Sequence, residues 1–289
     1  MATDQLTQAI EQYREEGYAV IPNFIPESDV AELQRETKQL YEIGLEHPTT
    51  YRHGNLLFEI LPERHFNKRY VVQAHWFAWI SDYFERFRRR PEFLHLLEPL
   101  LERNVKQVAQ QIHWKPPGAD KTGYRFHQDF GFRETGANLG NVVADSVQVG
   151  LAIDESHHQN GCLRIIPRGH EHGYLGLSDD GAAIMSGLTP NEELQSVGLD
   201  PSTMIDIELN PGDAVIWGLL TVHGSLPNLS DSDRALMISS YVRAETSMRG
   251  EWAFRDGIST PLGSQPQLCK YEKLHERPEP HYIDSEWFL

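Results

Sequence analysis

The triplet His127-Gln128-Asp129 places two metal-ligating side chains one residue apart. On a β-strand such a pair faces one side, because successive side chains alternate. His223, on a later segment, can return to that face as a third ligand. Two histidines and one carboxylate are the donor set of non-haem Fe(II) oxygenases, which leave coordination positions open for a co-substrate and O2. Arg234 follows downstream, and its planar fork suits a bidentate grip on a carboxylate co-substrate. Taken singly, a histidine in apolar surroundings is more often structural than a ligand. Order and context strengthen the set. Tyr124, Phe126 and Phe130 flank the triplet with rings that can wall a pocket. Pro211-Gly212-Asp213 turns into an apolar segment, and Thr221-Val222-His223-Gly224-Ser225 delivers the distal histidine.

The elements that must position these residues are legible in outline. Residues 5–16 have Leu6, Ile10 and Tyr13 at helical spacing, and Gly17 ends that helix before a short strand at 18–22. Pro26 opens a second helix over about 27–44, with Val30, Leu33, Leu40 and Ile43 on one side. An irregular stretch follows near 47–55, and then a helical region over about 70–103, interrupted at Pro91. The basic run Arg86 to Arg90 reads as a solvated helix face balanced by glutamates. After Asn104 the texture becomes short β-type segments near 105–115, 124–130, 146–154, 160–167, 204–209, 213–218, 221–225 and 235–243. The expected fold is mostly β with flanking α-helices, around a double-stranded β-helix (a cupin-like jelly roll) whose mouth can seat a metal. No Gly-, Ser- or Pro-rich linker divides the chain. It reads as a single oxygenase domain over 1–289, with a mainly helical buttress at 1–104, a β-core at 105–245 and a C-terminal extension at 246–289. Residues 171–203 interrupt the β region and are a lid candidate.

Composition narrows the function classes. A net charge of −16 argues against binding a phosphate backbone, so no nucleic-acid partner is expected. No stretch approaches the ~18 apolar residues of a membrane span. The N-terminus lacks the basic-then-apolar pattern of a signal peptide. Only Cys162 and Cys269 are present, which predicts a reduced, cytoplasmic protein and leaves a single disulfide open. Oligomeric state is not legible.

Motif order extends the argument. Lys115-Pro116-Pro117-Gly118 precedes His127-Gln128-Asp129-Phe130-Gly131. Asn160-Gly161-Cys162-Leu163-Arg164-Ile165-Ile166-Pro167-Arg168-Gly169-His170 follows, then Pro211-Gly212-Asp213, then His223-Gly224-Ser225 with Asn228, Ser230 and Arg234. In these motifs the chain resembles the phytanoyl-CoA dioxygenase-type branch of the Fe(II)/2-oxoglutarate oxygenases, strongly over 105–245 and loosely over the N-terminal helices. One departure is Pro167-Arg168-Gly169-His170, where the family usually has Pro-Gly-Ser-His. It alters a loop and leaves the ligand set intact.

The resemblance implies iron bound by His127, Asp129 and His223, with 2-oxoglutarate as co-substrate and O2 as oxidant. It implies that Arg234 pairs with the far carboxylate of 2-oxoglutarate and Ser225 bonds the same end. His113 and Tyr124 match positions that line the co-substrate pocket. Halogenating relatives carry a small residue where this chain has Asp129, so oxygenation is expected. For the substrate, a small molecule, the polar candidates are Gln111, Arg133, Gln148 and Arg243. Arg243 and Arg234 point to opposite faces if their strand is regular, which weakens Arg243 unless a bulge intervenes. A metabolite or natural-product tailoring enzyme is the leading reading. An acyl-CoA hydroxylase of the same family, a cupin-like enzyme using another metal, and a metal-binding jelly roll without turnover remain alternatives.

Overall fold

The computed structural model describes residues 3–61, 63, 68–117, 123–132, 143–178, 184–185, 187–270 and 272–283. Helix α1 (Thr3–Glu16) runs into strand β1 (Tyr18–Ile21) through Gly17, whose φ of +83° suits glycine. Helix α2 (Glu27–Leu45) buries Val30, Leu33, Thr37, Leu40 and Gly44. The expected stripe therefore ends on Gly44, and Ile43 is exposed. A Cβ at Gly44 would come within 2.8 Å of Val71, so the helix backbone lies close on the sheet.

All eight strands expected after Asn104 are present, with trimmed ends. They are β5 (Val105–Trp114), β6 (Tyr124–His127), β7 (Ser146–Ala152), β8 (Leu163–Ile165), β9 (Ile205–Ile207), β10 (Ala214–Trp217), β11 (His223–Ser225) and β12 (Ala235–Arg243). The buttress is less helical than expected. Residues 50–53, 56–61 and 70–75 form strands β2, β3 and β4, and within the expected helical region of 70–103 the α-helices are Asp82–Phe87 and Pro91–Leu101. Strands β13 (Glu251–Arg255), β14 (Ile258–Ser259) and β15 (His281–Ile283) come from the C-terminal extension.

The large sheet runs β1-β10-β7-β12-β5-β4-β3-β2-β15, with β13 also on β5. The small sheet runs β6-β11-β8-β9. Period-2 alternation assigns the two faces of the large sheet. Ala235, Met237 and Tyr241 of β12 face the helices, in a core shared with Leu33, Phe93 and Leu97. Leu236 faces the other way and packs with Leu163, Ile165 and Ile207 of the small sheet. The two sheets thus enclose a second apolar core, and the site opens at one end of it.

The basic run departs from a solvated face at Arg88, while Arg86 is exposed. Arg88 is 1% exposed and donates to Gln107 Oε1 (2.8 Å) and the Trp252 carbonyl (2.6 Å). Arg89 pairs with Glu85, and Arg90 with Asp29 and Glu92. The short helix turns Arg88 inward, where backbone carbonyls replace water. Both cysteines are free. Among the described residues no helix is long and apolar enough to cross a membrane.

Glu59, on β3, is 3% exposed, and burial pushes its carboxyl up from 4.5 to about 8 against a lesser opposing pull from Arg52. A carboxyl protonated in the fold but ionised in the unfolded chain favours folding fully below about 4.5, and that contribution is lost as pH rises to about 8. Glu59→Gln removes this dependence. Urea unfolding at pH 5 and pH 8 should find the variant gaining on the wild type at the higher pH, by up to roughly 1.4 kcal/mol per unit. A pH-independent difference contradicts the assignment.

Candidate active site

Strands β6 and β11 pair so that His127 stands directly opposite His223, with ring centroids 4.2 Å apart. Each ring is fixed by its own strand. His127 Nδ1 donates to the Arg125 carbonyl (2.7 Å), and His223 Nδ1 to the Thr221 carbonyl (2.9 Å). Both imidazoles therefore carry the proton on Nδ1 and present the Nε2 lone pair to a metal. Burial, then neighbouring His223, lowers the His127 pKa to about 4, so the ring is a neutral donor at ordinary pH.

Asp129 completes the set by a different route from the one expected. Strand β6 stops at His127, and Asp129 opens a 3-10 turn over Asp129–Phe132. The cause lies in Gln128, which is 2% exposed. It donates to the carbonyls of Gly173 and Leu220 (both 2.8 Å) and accepts from the Leu175 amide. These bonds lead the backbone out of the strand. The carboxylate still reaches the histidines, with Oδ1 3.8 Å from His127 Nε2 and Oδ2 3.8 Å from His223 Nε2. The three ligand atoms lie within 4.8 Å of one another. Two imidazoles and one carboxylate on that spacing fit a divalent iron and leave one side open to the cavity.

The large sheet holds the carboxylate from the other side. Gln148 Nε2 (2.8 Å) and Trp217 Nε1 (3.0 Å) both donate to Asp129 Oδ2. Trp217, Gln148 and Ser240 are register partners across β10, β7 and β12, and Ser240 donates to Gln148 Oε1. Gln148, a substrate candidate by sequence, is thus bonded to a ligand and fixed by its neighbour.

Arg234 enters the cavity just before β12. It is 3% exposed, and among the described residues its side chain makes one long hydrogen bond, to Ser156 Oγ (3.4 Å), and no ion pair. A buried guanidinium without a carboxylate is costly unless a ligand brings one. Lys115, also fully buried, donates to Ser225 Oγ (2.6 Å), the Gly161 carbonyl (3.3 Å) and the Leu226 carbonyl. Burial, then Arg234, pushes its ammonium pKa well down. Because Lys115 donates into Ser225 Oγ, the serine keeps its own proton for a partner in the cavity. The sequence motif contained Lys115, but nothing in it revealed this role. Gly118, in the same motif, lies outside the described residues.

One polar chain crosses the cavity wall. His75 Nε2 donates to Gln73 Oε1 (2.7 Å), and Gln73 Nε2 donates to the Tyr124 hydroxyl (2.9 Å). Tyr124 in turn bonds His113 Nδ1 (2.9 Å), and His113 Nε2 donates to Gln111 Oε1 (2.9 Å). Burial lowers His75 to about 4 and His113 well below its usual value, so both rings are neutral. His113, Tyr124 and Gln111 all line the cavity. Gln73 and His75 were missed, because they stand on β4, a segment read as helix.

Arg243 is not among the lining residues. It pairs with Glu102 (3.1 Å) and Asp145 (3.2 Å) at the far end of β12. The parity argument holds: β12 keeps continuous register with β7, and the irregularity at Ser240/Tyr241 lies in its pairing with β5. Arg133 lies outside the described residues. The described part of 171–203 contributes Ile184 to the cavity, while Leu177, Leu194 and Leu199 pack on Phe126 and Val222. Much of the mouth comes instead from the C-terminal extension, through Arg249, Cys269, Glu272 and Leu274. The whole cavity holds about 330 Å³.

The sequence matches the phytanoyl-CoA dioxygenase family over residues 13–236. The chain belongs to that family. With the family come iron as cofactor and 2-oxoglutarate as co-substrate of a dioxygenase. A methylphosphonate hydroxylase of Gimesia maris is 23% identical, over 87% of this chain and 86% of its own length. A probable alpha-ketoglutarate-dependent hypophosphite dioxygenase of Stutzerimonas stutzeri is 23% identical, over 81% of this chain and 77% of its own. Among solved structures, EctD from S. alaskensis with bound Fe superposes with a TM-score of 0.65 at 16% identity, covering 90% of this chain and 82% of that one. That likeness is one of fold, and it is the expected cupin-like β-fold.

Trp217→Phe keeps the ring and removes one of the two donors to Asp129 Oδ2. Equilibrium dialysis with Fe(II) or Mn(II) should find metal affinity lowered by about tenfold to a hundredfold. Unchanged affinity in a folded variant would show that the indole does not orient the ligand.

Proposed function

We propose that the protein oxygenates a small-molecule metabolite at an iron held by His127, Asp129 and His223, with Arg234 and Ser225 gripping the far carboxylate of 2-oxoglutarate. The carrying observation is the pair of features lining one cavity: a three-donor cluster of two imidazoles and a carboxylate, and a buried arginine that makes no ion pair among the described residues. Bound iron and 2-oxoglutarate supply the oxidising power: 2-oxoglutarate and O2 give succinate and CO2, and one oxygen atom goes to the substrate C–H.

The chain's own residues bind, orient and exclude water. Arg234 meets a carboxylate with two parallel N–H donors, and burial strengthens that bond. Ser225, fixed by Lys115, offers a hydroxyl donor to the same end. Gln148 and Trp217 hold one oxygen of Asp129 and so set the orientation of the other. The carboxylate at residue 129 occupies the place that halogenating relatives leave to a halide, which supports oxygenation. His113 and Tyr124 complete the wall on the co-substrate side.

Size supports a small substrate. A cavity of about 330 Å³ is near the lower end of small-molecule sites, which span roughly 300–1,000 Å³, and it must also admit 2-oxoglutarate. An acyl-CoA could enter only in part. The relatives named above take methylphosphonate and hypophosphite, both small anions. We read the whole chain as one oxygenase domain. The two free cysteines fit a reducing compartment such as the cytoplasm.

Succinate release from 2-oxoglutarate, measured with Fe(II) and O2, tests the reading. Wild type should produce succinate even without substrate, slowly. Arg234→Ala should raise the KM for 2-oxoglutarate by about a hundredfold, the loss of a buried bidentate pair. A wild type that never consumes 2-oxoglutarate, or an Arg234→Ala variant with unchanged KM, contradicts it.

A further inference from the structure

Two residues that line the cavity carry a fixed positive charge, Arg234 and Arg249. Arg234 is accounted for by the co-substrate. Arg249 lies on the C-terminal extension, beyond the residues matched by the family. Among the described residues its side chain makes one weak hydrogen bond, from Nη1 to the Cys269 sulfur (3.5 Å), and no ion pair. Several other arginines do pair with carboxylates: Arg52 with Glu272 (3.0 Å), Arg125 with Glu193 (3.4 Å) and Arg243 with Glu102 and Asp145. In a chain with 42 acidic and 26 basic residues, an arginine without a carboxylate at the mouth of a cavity stands out.

The backbone at Arg249 is held in place. Its amide donates to Ser247 Oγ (3.3 Å), and the same hydroxyl donates to its carbonyl (3.1 Å). Gly250 follows at φ +102°, where a Cβ would stand 2.7 Å from the Gln107 carbonyl. The extension is then tied across the mouth. Asn55 donates to the Gln267 carbonyl and accepts from the Cys269 amide, Glu272 pairs with Arg52, and β15 pairs with β2. A positioned guanidinium at the mouth of a cavity is an anion site with much of its ordering cost already met.

We infer that Arg249 anchors an oxyanion of the oxygenated substrate, a carboxylate, phosphate or phosphonate group, while the rest of the substrate extends toward the metal ligands. This rests on the function proposed above and names the substrate class of that site. The remaining walls define the body. Gln111 accepts from His113 through Oε1, so its amino group remains as a donor to the cavity, and His75 uses Nε2 for Gln73, so its Nδ1 remains as an acceptor. Trp76, Ile184, Ile238 and Leu274 supply apolar surface. The fitting molecule has one anionic end, an apolar middle and few further polar groups.

Calorimetric titration of the full chain tests this. The protein is loaded with Mn(II) and saturating 2-oxoglutarate, so that Arg234 is covered. Benzoate and phenylphosphonate are titrated against neutral benzamide, and acetate and methylphosphonate against acetamide. At least one anion should bind about tenfold or more tighter than its neutral counterpart, and Arg249→Ala should remove that preference while Arg249→Lys retains part of it. A stronger phosphonate than carboxylate points to a phosphoryl-type head, and the reverse to a carboxylate. The proposal is overturned if no anion is preferred, or if the preference survives in Arg249→Ala. The 2-oxoglutarate affinity of the same proteins separates the two readings. It should be unchanged in Arg249→Ala and weakened in Arg234→Ala. A wild type that does not bind 2-oxoglutarate indicts the co-substrate assignment instead.

Discussion

The carboxylate of Asp129 is held from two sheets at once, and the rest of the site depends on that bridge. The small sheet brings the two histidines together through one register pair, His127 opposite His223. The large sheet reaches across with Gln148 and Trp217, which stand side by side on neighbouring strands. A one-residue slip in either pairing would turn a ligand or its support to the other face. The apolar contacts between the sheets, among them Leu163, Ile165, Trp217 and Leu236, therefore do more than stabilise the fold. They fix the spacing of a three-donor cluster to within an ångström or so of what a metal needs.

The cavity that opens from this bridge is electrostatically spare. Three of its imidazoles, those of His75, His113 and His127, are neutral because burial lowers each of them. Neutral rings keep lone pairs available and fix the direction of a hydrogen-bond chain from His75 to Gln111. Against that background two guanidiniums stand out, one deep and one at the mouth. Neither makes an ion pair among the described residues, which supports the proposal that the cavity takes two anionic groups, one from the co-substrate and one from the molecule being oxidised.

Much of this was legible in the sequence. The eight segments after Asn104 are short, β-type in composition and bounded by turns, so their existence could be read directly. The ligand triplet was legible because its residue types are rare in that pattern. Other parts were hidden for identifiable reasons. Strand β3 is Leu56–Leu61, buried at every position, so it has no period-2 signal to distinguish it from a helix. Strand β4 was absorbed into a helical region, and with it Gln73 and His75 were lost. The turn at Asp129 depends on Gln128 finding the carbonyls of Gly173 and Leu220, contacts distant in sequence. The roles of Gln148, Lys115 and Arg249 likewise depend on partners that only the tertiary fold assembles.

The central claim is that His127, Asp129 and His223 bind iron and that 2-oxoglutarate joins it there. Its most direct test is spectroscopic. Fe(II) and 2-oxoglutarate, added without oxygen, should give the weak visible charge-transfer band of a keto acid chelated to iron. The band should be absent in His127→Ala and weakened in Arg234→Ala at the same co-substrate concentration. No band in a folded wild type would contradict the account and favour a metal-binding jelly roll without turnover, and a band that persists without His127 would contradict the ligand assignment.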